Sequence, residues 1–304
     1  MFFAVEHPQA KIEYPRMASN AIHFGTSGWR AIMADQFNFS GVRLAAAAIA
    51  DHVSSKKKNP AILIGYDTRF FSEEFARTCA GILGARGCRV LFCDRPTPTP
   101  TIAYEIMRRK LDGAINITAS HNPAEYNGIK FSGPDGGPAL PEVTKDIEAR
   151  AAKLGEVEAP EPAHSGAEDF ERVDLRESYL QRLKELVRFE VLSSAKLSFV
   201  SDALHGCGAG YLDRALSSHG IAVNSIRTGR DVLFEGAGPD PSEENLAPLK
   251  KEVLDRQAAA GLATDGDADR FGFLDGDGSF VQPNHILGLL FDYLLETRGW
   301  KLGA

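Results

Sequence analysis

The sequence predicts an α/β protein with two consecutive three-layer α/β/α domains, each built on a mixed, mostly parallel sheet, and the start of a third domain. Three observations favour this fold class. Short apolar runs alternate with stretches of helical periodicity, turn residues separate them, and the same βα succession occurs in both halves of the 304 residues. Hydrophobic residues account for 43% of the chain, which is enough for a sizeable core.

The first predicted domain covers residues 21–152 and follows a non-periodic N-terminal extension at residues 1–20. Two of its helices are expected to begin at the N-caps Ser40 and Ser72, and a third ends in the basic run 108–110. Apolar runs between the helices predict buried strands at residues 61–64, 89–92 and 114–117. This βαβα succession implies a mostly parallel sheet that is covered on both faces.

A linker containing Pro and Glu is predicted at residues 153–172, and the second domain at residues 173–278. The predicted strands of this domain are residues 197–200, 221–223 and 262–263, and its predicted helices are residues 174–189, 210–219 and 245–258. Residues 279–304 have the pattern of one turn and one amphipathic helix. We assign them to the start of a truncated third domain, and we expect the apolar face near Ile286–Leu294 to lack cover.

Composition argues against several classes of partner. The formal net charge of −7 argues against nucleic acid, and the basic run Lys56–Lys58 fits a helix C-terminus. No apolar stretch reaches the ~20 residues that span a bilayer, and the N-terminus lacks the basic segment of a signal peptide. The four cysteines form no CxxC pair, which is typical of a reduced compartment. We therefore expect a cytoplasmic protein with neither a nucleic-acid nor a membrane partner.

Three common motifs are missing from the sequence. Gly206 and Gly208 begin a G-x-G-x-x-G pattern, but Tyr211 stands at its last position, which argues against a dinucleotide site. There is no G-x-x-x-x-G-K-[ST] phosphate loop and no G-x-S-x-G nucleophile elbow.

The segment Thr118–Pro123 carries the first candidate catalytic group. It follows the apolar run 114–117, and ligands in open α/β sheets collect beyond the carboxyl ends of strands. Ser120 is therefore placed to carry a covalent group, although a serine before Asn-Pro is as often a plain turn residue. His121 is expected either to orient this loop or to move a proton, and the sequence does not distinguish the two roles.

A long polar segment follows at residues 126–137, and its glycines predict a flexible loop. Loops of this kind inside compact domains are usually functional, which favours a catalytic Ser120 over a turn serine. Lys130 is the cation of this segment that lies close to Ser120 in sequence. It is a candidate acid/base or phosphate partner, and the alternative is a plain surface lysine.

The alternating carboxylates Asp265, Asp267 and Asp269 are the second candidate site. In an extended loop all three would point the same way, and a divalent cation would relieve their repulsion. An oxygen-only ligand set points to Mg²⁺. An EF-hand is excluded because Arg270 and Gly276 stand where its loop requires Gly and Glu. The alternative is a solvated acidic turn.

The segment Phe24–Arg30 is a third candidate, since its glycines and polar residues could present backbone amides to an anion. Arg30 could bind a phosphate bidentately, and the alternative is a simple turn. Asp67 and Arg69 are expected to form a local ion pair that shapes a loop. Asp275 and Asp277 lie in a Gly-rich turn, to which we assign no site.

Taken together, residues 24–30, 118–131 and 262–270 resemble the α-D-phosphohexomutase family, which includes phosphoglucomutases and phosphomannomutases. The two motifs T-A-S-H-N-P and D-G-D-A-D-R carry most of the resemblance. Weaker similarity is found at residues 65–69, 96–98 and 239–246. The similar segments occur in the family's order from about residue 22 to residue 300.

The resemblance implies a Mg²⁺-dependent isomerase that transfers a phosphoryl group within a hexose phosphate. Ser120 would be the phosphoserine, and one of its oxygens would bind Mg²⁺ together with the three aspartates. The phosphoryl group would pass from Ser120 to a sugar monophosphate, and the other phosphate of the bound 1,6-bisphosphate would return. Glucose 1,6-bisphosphate, or mannose 1,6-bisphosphate, would be the activator.

The remaining site roles also come from the resemblance. Arg30 and Arg270 would stabilise the transferring group, and Lys130 or His121 would assist proton movement. Thr26 and Ser27 would bind substrate together with Arg30. Glucose or mannose phosphate is the favoured substrate, because phosphoglucosamine mutases of this family usually carry serine at the position of Thr118.

Alternatives to this assignment are a phosphoglucosamine mutase, a phosphatase, and a non-catalytic module that binds phosphosugar or metal. Family members have four domains, the third with a sugar loop G-E-x-S-G-H and the fourth with a loop that grips the non-reacting phosphate. This sequence contains neither loop. We therefore expect an N-terminal portion of a mutase that does not turn over alone.

Overall fold

The structure is a computed structural model, and it describes residues 22–25, 28–155 and 170–299. Most of the predicted linker, the predicted extension at residues 1–20, and the candidate substrate residues Thr26 and Ser27 lie outside the described residues. Two α/β units with mixed sheets make up the described chain, which confirms the predicted fold class.

A six-stranded sheet organises the first unit, in the order β1-β5-β4-β2-β3-β6. Its strands are β1 Trp29–Ile32, β2 Ala61–Tyr66, β3 Arg89–Cys93, β4 Gly113–Ile117, β5 Tyr126–Ser132 and β6 Glu171–Val173. Its helices are α1 Phe39–Ser54, α2 Ser72–Ala85, α3 Thr99–Arg109 and α4 Pro141–Gly155. Pairs β4–β2, β2–β3 and β3–β6 are parallel, whereas β1–β5 and β5–β4 are antiparallel.

Strands β4, β2 and β3 form the centre of this unit, because both faces of each are covered. The crossovers through α2 and α3 run in opposite directions along the sheet, so right-handed connections place these helices on opposite faces. All five residues of β4 are buried, as its mostly apolar sequence predicts, and they include the polar Asn116. Each large aliphatic side chain buried there stabilises the fold by roughly 1.5–3 kcal/mol.

One antiparallel strand and two helix caps differ from the sequence prediction. Residues 126–132, predicted as part of a flexible loop, form β5 between β4 and β1, where backbone pairing holds a polar segment in place. Asn38 rather than Ser40 caps α1, and its Oδ1 accepts from the Gly41 amide at 3.0 Å. Ser72 begins α2 without capping it, because its hydroxyl instead donates to Asp67 Oδ1 at 2.6 Å.

The second unit has a five-stranded sheet in the order β11-β10-β9-β7-β8. Its strands are β7 Ser198–Asp202, β8 Ala222–Ile226, β9 Ala260–Thr264, β10 Phe271–Asp275 and β11 Phe280–Val281. Its helices are α5 Arg176–Leu186, α6 Phe189–Ser194, α7 Leu212–Ser217, α8 Ala247–Arg256 and α9 Pro283–Arg298. One small apolar core lies under α8, and another lies under α5, α6 and α7.

Two short segments pair with strands on the other side of a predicted domain boundary. Residues 171–173 pair with β3, so the first sheet takes up residues that the sequence suggested for the linker and the second domain. Residues 280–281, which the sequence pattern places in a third domain, pair with β10. None of the residues of α9 is buried, and Leu289 on this helix is 66% exposed, so the predicted lack of cover is present within the described chain.

The two sheets share one topological feature that positions the site. In each, a strand paired in parallel on one side is followed by an antiparallel neighbour, β4 by β5 and β9 by β10. The β4–β5 connection contains Ser120, and the β9–β10 connection contains the three aspartates. Among the described residues, no helix is long and apolar enough to cross a membrane.

Candidate active site

Ser120 lies in a tight turn just beyond β4. Its φ is +55°, an uncommon value for a residue other than glycine, and its side chain is 1% exposed. The Ser120 amide donates to Thr118 Oγ1 at 2.8 Å, and its hydroxyl donates to Asp265 Oδ2 at 2.7 Å. The serine of the first unit therefore contacts the acidic cluster of the second.

Arg69 holds this turn from inside the first unit. Its guanidinium is fully buried, and each of its five N–H groups has an acceptor. Nε donates to Asp67 Oδ2, and the other four donate to backbone carbonyls, those of Ser120, Asn122, Pro123 and Tyr126, at 2.6–3.0 Å. The predicted ion pair with Asp67 is present, and Arg69 also supports the loop that carries the serine.

The three aspartates converge, although the loop is not extended as the sequence suggested. Residues 265–270 form a turn in which Ala268 has a φ of +56° and its amide donates to the Asp265 carbonyl at 3.0 Å. One carboxylate oxygen from each of Asp265, Asp267 and Asp269 lies within 4.8 Å of the others. Folding of the turn, rather than strand-like alternation, brings the carboxylates together.

Close approach of the two loops requires a glycine at position 266. A Cβ there would lie 2.5 Å from the Ser120 carbonyl oxygen and 3.0 Å from Pro239. Real Cβ atoms do not approach a backbone oxygen so closely, so the side chain must be absent for the loops to meet.

Hydrogen bonds satisfy most oxygens of the cluster, and the first unit supplies several donors. Asp265 Oδ1 accepts from the amides of Asp269 and Arg270 at 3.0 Å. Asp267 Oδ2 accepts from Thr99 Oγ1 and from Lys130 Nζ, both at 2.6 Å. Asp267 Oδ1 is buried and has no hydrogen-bond partner within the described parts of the chain.

The pKa values of the two buried carboxyl groups, Asp265 and Asp267, are shifted in opposite directions. Burial raises the pKa of Asp265 to about 7, and the carboxylates of Asp267 and Asp269 add to this effect. Burial also disfavours the charge of Asp267, but the Lys130 ammonium and the Thr99 hydroxyl hold the pKa of that carboxyl below its ordinary value. Additional positive charge at the cluster would therefore stabilise the ionised form of Asp265.

The acidic cluster fits a small divalent cation. Its ligand atoms are all oxygens, as Mg²⁺ prefers, and the buried Asp267 Oδ1 is an acceptor still lacking a partner. In the part of the chain that the structure describes, no other group of acidic, histidine or cysteine side chains converges in this way. The four cysteines are all buried and form no disulfide.

Lys130 lies on β5, and its ammonium bridges Asp267 and Asp269 at 2.6 and 2.8 Å. Burial alone would lower the pKa of Lys130, but the two carboxylates outweigh burial and raise it. A cavity of about 220 Å³ opens beside this ammonium, and Gly28, Thr99 and Asp269 also line it. A ligand in that cavity would meet both a cation and carboxylates.

The other predicted site residues surround this cluster. Arg30 Nη1 donates to Asn122 Oδ1 at 2.8 Å, and burial lowers the pKa of this guanidinium. Burial, reinforced by the charge of Arg270, lowers the pKa of His121, which favours a neutral imidazole at pH 7. Arg270 is exposed at the end of the acidic turn.

Sequence reasoning missed two contributors. Thr99 bonds Asp267 through its hydroxyl, and its amide donates to the Asp267 carbonyl at 2.9 Å. The turn at residues 96–100 was visible in the sequence, but no local signal connects it with a loop 168 residues away. The hydrogen bonds from Arg69 to the Ser120 loop could not be predicted from the sequence either, because their acceptors are backbone carbonyls.

Two family models match the chain. Residues 21–158 match α/β/α domain I of phosphoglucomutase/phosphomannomutase, and residues 177–278 match α/β/α domain II. A crystal structure from Thermus thermophilus, provisionally described as a phosphomannomutase, superposes with a TM-score of 0.83 at 34% identity. That superposition covers 91% of this chain and 62% of the other.

Curated relatives agree with these matches. The phosphoglucomutase/phosphomannomutase of Thermococcus kodakarensis is 30% identical over 284 residues, which cover 92% of this chain and 60% of the relative. A Thermococcus gammatolerans protein named "Probable phosphoglucosamine mutase" is 31% identical over 280 residues, 91% of this chain and 59% of that protein. The chain thus spans about 60% of the length of the relatives it matches.

Proposed function

The chain belongs to the phosphoglucomutase/phosphomannomutase family of α-D-phosphohexomutases, and from this premise we propose that it carries the phosphoserine and cation-binding part of a phosphohexomutase active site. One observation supports this function above all others. The Ser120 hydroxyl lies 2.7 Å from Asp265, so a phosphate on Ser120 would adjoin the acidic cluster. Phosphoryl transfer depends on such positioning and on charge neutralisation.

In this proposal Asp265, Asp267 and Asp269 hold Mg²⁺ together with an oxygen on Ser120. The ion, when bound, would neutralise charge that develops on the transferred phosphoryl group. The chain's own residues do the rest. Arg69 fixes the serine turn, and burial of Ser120 limits the access of water.

The cationic side chains have separate proposed tasks. Arg30 would bind a phosphate oxygen from the side of the serine loop, where Asn122 orients its guanidinium, and Arg270 would do so from the acidic loop. Lys130 is placed beside the cavity to hold or release a proton at its Nζ. His121, neutral at pH 7, could accept one. Thr26 and Ser27 are proposed as substrate contacts on sequence resemblance alone.

Glucose or mannose monophosphate is the proposed substrate, and the matching 1,6-bisphosphate is the proposed activator. Relatives named phosphoglucomutase/phosphomannomutase support this choice. Relatives named as phosphoglucosamine mutases are equally similar, so phosphoglucosamine is the second candidate. A cytoplasmic location stays a prediction from the cysteines.

We propose that this chain accepts phosphate at Ser120 but does not complete the interconversion of 1- and 6-phosphates. The test is intact-mass analysis and peptide mapping after incubation with glucose 1,6-bisphosphate and Mg²⁺. We expect one added phosphate at Ser120, no label in Ser120→Ala, and full label in a control, Ser194→Ala, whose serine is exposed on α6. An unlabelled Ser120 in the unaltered chain would overturn the proposal.

The same incubation distinguishes the alternatives. A phosphatase would release inorganic phosphate continuously while the serine stays largely unlabelled. A non-catalytic binding module would leave the bisphosphate intact and the protein mass unchanged. Protein mass identifies the mutase outcome, and an inorganic-phosphate assay of the same incubation tells a phosphatase from a binding module.

A further inference from the structure

A loop of the second unit, residues 230–238, covers Arg69, and we call it the covering loop. At its start, Arg230 donates through Nε to the Thr68 carbonyl at 2.8 Å and through Nη2 to the Arg69 carbonyl at 3.0 Å. Phe234 is 2% exposed, and its ring centroid lies 5.2 Å from the Arg69 guanidinium carbon. Gly238, at the loop's end, would place a Cβ 3.7 Å from Pro123.

We propose that Arg230 is a positioning residue for the Ser120 loop. It binds the backbone of Thr68 and Arg69, and Arg69 transmits that position to the serine turn. The consequence is that the second unit controls Ser120 by two routes, directly through Asp265 and indirectly through Arg230. The inference rests on the proposed function only in so far as Ser120 is the group that receives phosphate.

A displacement of the Arg69 backbone reaches the Ser120 turn because every N–H group of the Arg69 guanidinium is hydrogen-bonded. All five of its N–H groups are engaged, so a shift of the Arg69 backbone either strains its side chain or lengthens bonds to Asp67 and the serine turn. The turn itself is sensitive, because a non-glycine residue at a φ of +55° persists only where its surroundings hold it. A small displacement at residues 68–69 therefore changes the geometry of Ser120.

Arg230 is suited to a test because its removal leaves no buried charge without a partner. Its residue surface is exposed, and the two acceptors it bonds are neutral carbonyls. Arg230→Ala should therefore fold. Arg230→Lys retains a cationic donor that can reach one of the two carbonyls. Arg256→Ala is the matched control, since Arg256 is an exposed arginine of the same unit that pairs with Glu252 on its own helix.

The first measurement is amide hydrogen exchange of the whole chain without ligand. In Arg230→Ala we expect exchange at residues 119–126 to accelerate by roughly 10-fold or more, with β2 unchanged. Arg230→Lys should restore part of the protection, and Arg256→Ala should match the unaltered chain. Unchanged exchange at residues 119–126 in Arg230→Ala would overturn the proposal.

The second measurement is the rate of phosphate uptake at Ser120 as a function of glucose 1,6-bisphosphate concentration. Arg230→Ala should lower the maximal rate by about 10-fold and leave the half-saturating concentration unchanged, since Arg230 contacts backbone rather than substrate. An equal maximal rate would contradict the positioning role. If the unaltered chain takes up no phosphate, the proposed function fails, and hydrogen exchange still decides the role of Arg230.

Discussion

The two loops that meet at the site occupy equivalent places in their sheets but are held in different ways. The Ser120 loop follows β4, the acidic loop follows β9, and each contains one non-glycine residue with a positive φ. Arg69, a buried arginine of the same unit, donates to four carbonyls in and beside the Ser120 loop. The side chains that bond Asp267 in the acidic loop, those of Thr99 and Lys130, come from the other unit.

The two loops therefore depend on different sources of stability. Arg69 of the same unit holds the Ser120 loop through backbone carbonyls, and the second unit adds the contacts of Arg230 and Asp265. The acidic loop is incomplete alone, with repelling carboxylates and an acceptor on Asp267 that lacks a partner within the described residues. It gains stability from the neighbouring unit and, as proposed, from a cation. Changes at the two loops should therefore have different consequences.

Removing the internal support of the Ser120 loop should have the largest effect. Arg69→Met leaves buried Asp67 and four carbonyls without their donor, so we expect a loss of about 3–5 kcal/mol in the free energy of unfolding. Urea denaturation measures this loss. The control Arg89→Met removes an exposed ion pair with Glu171 and should cost only about 0–1 kcal/mol. Equal losses in the two variants would show that Arg69 does not support the loop.

Separating the loops should damage chemistry more than stability. Gly266→Ala places a methyl group 2.5 Å from the Ser120 carbonyl, so the loops must move apart. We expect phosphate uptake at Ser120 to slow by up to about 100-fold, because misplacement by about 1 Å has effects of this size. Gly229→Ala, where a Cβ meets nothing within 4 Å, serves as control. A Gly266→Ala chain as fast as its control would contradict the contact.

A smaller effect on stability is expected from pH, and Asp265 of the acidic loop should contribute to it. Burial raises the pKa of Asp265 from 3.8 to about 7, so the folded chain binds a proton that the unfolded chain has released. The stability from this group is present at low pH and is lost as pH rises towards 7. With a chelator present, Tm should fall from pH 5 to pH 8 by more in the unaltered chain than in Asp265→Asn. Parallel Tm profiles for the two proteins would refute this.

The sequence predicted the parts of these loops that depend on neighbouring residues, but not the contacts with residues far away in sequence. The strands before Ser120 and Asp265 were predictable, because buried strands of a largely parallel sheet are mostly apolar along their length. The motif residues themselves were also recognised, and the structure brings Ser120, Lys130 and the three aspartates together. Local pattern and local chemistry were sufficient for these elements.

The supporting contacts could not be predicted, because they depend on tertiary proximity. β5 is polar on part of its length and was assigned to a flexible loop, yet its backbone pairing with β1 and β4 fixes Lys130. Thr99 and Arg230 bond residues far away in sequence, and neither stands in a pattern that indicates its partner. The distinction between Asn38 and Ser40 as helix cap was similarly a matter of local geometry that either residue type satisfies.

The most direct test of the central claim is the phosphorus NMR signal of the chain phosphorylated at Ser120, titrated with Mn²⁺. Paramagnetic broadening falls steeply with distance, so it reports whether the cation and the phosphate share one site. We predict that substoichiometric Mn²⁺ broadens the phosphoserine resonance and that Asp267→Asn abolishes the broadening. A resonance that stays sharp while Mn²⁺ binds to the aspartates would show that the two loops do not form one site.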